Sequence, residues 1–169
     1  MRRNATWAAV VTAAALLQTT WLEHARFLGV LPDIMVLLVV YFALREGEEW
    51  AMLTAVLGGV FQDVAGNTAL GHHVLGLAVV GFVIGRVTTR LITEHPAVKV
   101  GLVFLSSVAA GIIYTGIQYV QRPGTPLLTV VLARVIPAAF YTALITPLVF
   151  WFVEHTVGRL FTPQTPVAE

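Results

Sequence analysis

Two aspartates and one arginine, Asp33, Asp63 and Arg134, stand in stretches otherwise dominated by Val, Leu, Ile, Ala and Gly. Acidic side chains so placed suggest general acid/base work or a proton relay, or a charge pair that fixes helices against one another. Relay or catalytic chemistry needs further groups, and the sequence does not supply them. No serine or threonine stands near a histidine at a nucleophile–base spacing. H-E-x-x-H, G-x-S-x-G and phosphate-binding glycine loops are all missing. His72 and His73 are adjacent, about 100° apart on a helix, which is awkward for ligating one metal; they fit a helix start instead. With no cysteine in the chain, thiol chemistry, disulfides and thiolate metal sites are excluded. No cofactor and no catalytic residue is expected. Charge pairing is the remaining reading: a carboxylate beside a guanidinium keeps its charge at tolerable cost, and Arg134 is the expected counter-ion of Asp33 or Asp63.

The elements that position these groups follow from composition. Hydrophobic residues make up 57% and charged residues 11% of 169, with a mean hydropathy of +0.83. A soluble domain carries roughly 25% charged residues, so the chain is expected to be an integral membrane protein. A net charge of +1 points to no nucleic-acid partner. Apolar segments at about 5–22, 28–44, 50–66, 72–92, 97–120 and 127–153 are expected as six transmembrane helices of one membrane domain covering 1–169. The turns between them include "REGEE" (45–49), "TEHPAVK" (93–99) and "QRPGTP" (121–126). The apolar run from Ala5 to Leu22 exceeds the 7–15 residues of a signal-peptide core and reads as a retained first helix. Arg2, Arg3, Arg45, Arg86, Arg90, Lys99 and Arg159 fall on one side, and Arg26, Arg122 and Arg134 on the other. That asymmetry predicts both termini in the cytoplasm.

Depth brings the acidic pair together. Asp33 precedes Arg45 by 12 residues and Asp63 follows Glu49 by 14, so both lie roughly 18–21 Å from the turn between their helices. Arg134, eight residues past Pro126, is expected at the same level. Small residues suggest how helices meet. Ala5, Ala9 and Ala13 recur at i+4, Gly81 and Gly85 form G-x-x-x-G, and Gly58 and Gly59 open the third helix to close approach. Packing within the bundle and docking of a partner's helix are both open. Gly66 and Gly71 are expected to shape the turn after Asp63, and Pro137 and Pro147 to kink a long last helix.

At "LPDIMVLLVVYFALREG" (31–47) and "GGVFQDVAGNTALGHHVLGL" (58–77) the chain resembles the MreD family of rod shape-determining membrane proteins. The shared pattern is a Pro-Asp opening an apolar helix that ends in Ala-Leu-Arg, then G-x-x-x-D, a glycine turn and Leu-Gly. The resemblance implies a non-enzymatic scaffold in the bacterial inner membrane. It would bind a bitopic MreC-like partner, work with RodA and its penicillin-binding transpeptidase, and meet MreB indirectly, with membrane lipid around it. It also implies a fold similar to the S subunits of energy-coupling-factor vitamin transporters. Those subunits dock through an Ala-x-x-x-Ala face, which makes a solute-binding transport subunit the alternative.

Overall fold

Ten consecutive residues, Ile34 to Ala43, are buried. A helix that is apolar all round is either a membrane span or enclosed by its neighbours, and this one is the centre of the molecule. The computed structural model describes residues 2–20, 30–66, 70–88, 95–121, 124 and 126–156. Arg26, Arg90, Arg122 and Arg159, on which part of the expected asymmetry rests, lie outside them. Around the central α2 (Ile34–Glu46) stand α1 (Arg2–Thr20), α3 (Glu48–Ala65), α4 (His72–Thr88), α5 (Pro96–Gln121) and α6 (Leu127–Thr156). The described residues thus form an all-α bundle. Of its helices, α5 and α6 are each long and apolar enough to cross a membrane by length and composition.

Two boundaries differ from the sequence expectation. The second helix begins at Ile34 rather than near residue 28, because Asp33 is extended and caps it. The turn expected over 45–49 shrinks to Gly47, whose φ of 87° suits glycine and lets α2 reverse directly into α3. Consequently Asp33 and Asp63 arrive at one end of the bundle, with Gly47 at the other.

The Gly47 end is edged with charge. Arg45 meets Glu154 at 3.2 Å and Arg86 meets Glu48 at 3.8 Å. Both pairs are substantially exposed, so neither adds much stability. Trp50 packs edge-on against Trp7 with ring centroids 5.5 Å apart. The Trp7 indole N–H also donates to Thr54 Oγ1 (2.9 Å), which ties α1 to α3.

Glycines set the spacing of α3 and α4. A Cβ at Gly59 would lie 2.6 Å from Val74 Cα, and one at Gly85 would lie 2.5 Å from Glu48 Cα. Gly81 sits against the Ala51 backbone, while Gly58 faces the flexible Met35 side chain. Ala5, Ala9 and Ala13, by contrast, are exposed on the outside of α1. The G-x-x-x-G face is internal and the Ala face is external.

These contacts are with backbone, which cannot swing aside. Gly59→Ala and Gly85→Ala should each lower unfolding stability in detergent by about 1–3 kcal/mol through overpacking. Gly101→Ala and Gly116→Ala, where nothing lies within 4 Å of an added Cβ, should be neutral or stabilising by up to about 1 kcal/mol. Denaturant titration of the four variants checks the contrast.

Candidate functional site

The first N–H groups of a helix have no partner within it. At the buried start of α2 that demand is met by side chains from three helices. Asp33 Oδ1 accepts from its own helix at Met35 N (3.0 Å) and Val36 N (3.3 Å). It also accepts from Gln18 Nε2 of α1 (3.2 Å) and Gln62 Nε2 of α3 (2.9 Å). Gln18 Oε1 takes a share of the Met35 N–H at 3.1 Å, and the Asp33 N–H donates to Thr142 Oγ1 of α6 at 2.9 Å. One carboxylate thereby fastens α1, α2 and α3, with α6 joined through its backbone.

Asp63 does the same for α4 from the preceding helix. It is fully buried, and its oxygens accept from Gly71 N (2.7 Å) and His73 N (3.0 Å). His73 Nδ1 stands 2.8 Å from Asp63 Oδ1. An ionised carboxylate only accepts, so Nδ1 carries the proton in that contact. The His73 ring in turn lies on Tyr114 of α5, centroids 4.3 Å apart. Gly71, with φ at 109°, makes the turn that points these N–H groups back at Asp63. Gly66 caps the end of α3, its N–H donating to Gln62 O at 2.9 Å.

The expected guanidinium partner is therefore corrected. Arg134 makes no ion pair with Asp33 or Asp63; His73 and backbone N–H groups serve Asp63, while amides and backbone serve Asp33. Arg134 is exposed and lies in a π-helical turn, Val131–Val135, after which α6 continues as α-helix from Ile136 and Pro137. It does share a cavity of about 520 Å³ with Gln18, Asp33, Gln62, His73 and Tyr114. Asp63 does not line that cavity. The role of His73 was missed: reading His72–His73 as a helix start located the pair, but only the Gly71 turn shows that one imidazole folds back ten residues.

Gln62 has a fixed orientation. Its amide nitrogen must face the Asp33 carboxylate, which leaves Oε1 buried with no hydrogen-bond partner among the described residues. Among the described residues no group of three or more His, Asp or Glu side chains is arranged to hold a metal.

A bundle with an apolar exterior, two inward carboxylate clasps and one polar cavity defines a helical membrane protein whose polar groups hold its own helices together. A family model described as rod shape-determining protein MreD matches residues 1–157, and the chain belongs to the MreD family of membrane proteins, with its role in rod shape determination. No curated protein and no solved structure matches the chain.

Asp63→Ala removes the acceptor of two part-buried backbone N–H groups and of an imidazole. At about 1–3 kcal/mol for a stranded buried group, it should lower unfolding stability by about 2–4 kcal/mol. A cycle with His73→Ala should show a coupling of about 1–3 kcal/mol. The same cycle between Asp63→Ala and Arg134→Ala should show additivity within about 0.5 kcal/mol.

Proposed function

We propose that this chain is a non-enzymatic scaffold of the cell-elongation machinery, and that its α1 face seats the single transmembrane helix of an MreC-like partner. The observation that carries the reading is the outward turn of Ala5, Ala9 and Ala13. They stand beside an apolar groove of about 510 Å³ lined by Ala13, Ala14 and Leu17 of α1, Leu38 of α2, and Leu148 and Trp151 of α6. In lipid, helices associate by close packing on small residues rather than by escape from water. A small-residue face that its own bundle leaves uncovered suits a second helix. The rod shape-determining description of the family supports the cellular role.

In this reading the chain crosses the bacterial inner membrane six times. Both termini are cytoplasmic, since Arg45, Arg86 and Lys99 cluster at the Gly47 end. Its plan is similar to that of vitamin-transporter S subunits, used here to mount proteins. The Asp63 end, shaped by Gly66 and Gly71, then meets the periplasmic part of the partner. RodA and its penicillin-binding transpeptidase join through the partner and support side-wall peptidoglycan synthesis, with MreB reached indirectly.

Filling the α1 face tests the assignment. Ala9→Leu with Ala13→Leu should reduce co-purification of the MreC-like protein by about tenfold, equivalent to about 1.4 kcal/mol, and turn rod cells round. Leu105→Ala, on the exposed face of α5, should change neither. Full capture and normal shape with the paired leucines would remove α1 as the docking face.

A further inference from the structure

The cavity shared by Asp33 and Arg134 is lined by more polar groups than the bundle needs for its own cohesion. Arg134 makes no hydrogen bond or ion pair with a described residue. Four donors converge on Asp33 Oδ1, whereas Oδ2 receives none from the described residues. Gln62 Oε1 is a second unbonded acceptor. Around them the wall alternates between polar Ser107, Thr115 and Gln118 and apolar Leu31, Leu77 and Val135. Gln118 and Arg134 are both exposed and form the rim.

Each feature constrains an occupant. A guanidinium has five donors and no acceptor, so its complement is an anion with several oxygens, held in a bidentate manner. The carboxylate oxygen and the amide oxygen ask for hydrogen-bond donors on the same molecule. Apolar wall between them tolerates methylenes. The cavity lies where α2 and α4 begin and α5 ends, so for a membrane-embedded bundle it opens at the level of the lipid headgroups, where phosphodiesters surround the protein. The π-helical turn matters here: a one-residue widening of this kind re-aims a side chain and is frequent at functional sites, and it carries Arg134.

We propose that this cavity binds the headgroup of a phospholipid whose phosphate bears a donor-carrying substituent, ethanolamine or glycerol. The phosphate sits on Arg134, and the ammonium or hydroxyl donors face Asp33 and Gln62. A trimethylammonium headgroup has no such donor and leaves both acceptors unmatched. This site is separate from the α1 face, so a failure of either assignment leaves the other standing.

Native mass spectrometry of the full chain, reconstituted with phosphatidylethanolamine, phosphatidylglycerol or phosphatidylcholine of matched acyl chains, tests it. One ethanolamine or glycerol lipid should be retained about tenfold more than the choline lipid, as charge-assisted hydrogen bonds would give. Arg134→Gln should lower retention of the ethanolamine and glycerol lipids about tenfold and Arg134→Lys should restore much of it, with helical circular dichroism unchanged in both. Soluble glycerophosphoethanolamine should fail to displace the lipid at equal concentration. Equal retention of all three lipids, unaltered retention in Arg134→Gln, or displacement by the soluble headgroup at equal concentration would each overturn the proposal.

Discussion

A helix that begins inside an apolar bundle presents backbone N–H groups with no water to receive them, and each one left bare costs as much as a lost buried hydrogen bond. Asp33 and Asp63 answer that demand for α2 and α4. Asp33 does so as the N-cap residue of its own helix; Asp63 does so across a turn, from the end of the preceding one. Negative charge is also favoured there by the helix dipole. The carboxylates thus sit where the backbone itself is electropositive, which explains how the two acids are tolerated although Arg134 pairs with neither.

Much of the architecture depends on these two clasps. At 13 residues, α2 is about 20 Å long, well short of the roughly 30 Å hydrocarbon core. It can be short because its polar start is enclosed by Gln18, Gln62 and Thr142. A centre fixed in this way leaves the outer helices to divide the remaining tasks. The faces of α3 and α4 with Gly59, Gly81 and Gly85 are consumed internally. Those of α1 and α6 keep an apolar groove open to the surroundings.

The sequence made the helical bundle legible because apolar runs of helical length, broken by Pro, Gly and charge, are direct signals of segments that must pair their backbone internally. It also placed Asp33 and Asp63 level, because the rise per residue converts spacing into depth. What depth does not give is azimuth. Arg134 reaches the same end of the bundle and lines the same cavity as Asp33 but pairs with neither carboxylate; its helix widens at Val131–Val135, and nothing in the residue types announces a π-helical turn. The His73–Asp63 contact was hidden for a related reason: it depends on the positive φ of Gly71, and a glycine marks a possible reversal without stating its direction. Likewise Ala5, Ala9 and Ala13 carried the same small-residue pattern as Gly81 and Gly85, and only the packed bundle separates the outward face from the inward one.

Backbone amide exchange of the chain in lipid nanodiscs tests the carboxylate clasps most directly. Helix-starting amides ordinarily exchange fast. Here the amides of Met35, Val36, Gly71 and His73 should be among the slowly exchanging ones, while those of the first turn of α6, which has no side-chain cap at Pro126, should exchange quickly. Fast exchange at Met35, Val36, Gly71 and His73, matching the start of α6, would contradict the idea that Asp33 and Asp63 hold the buried helix ends.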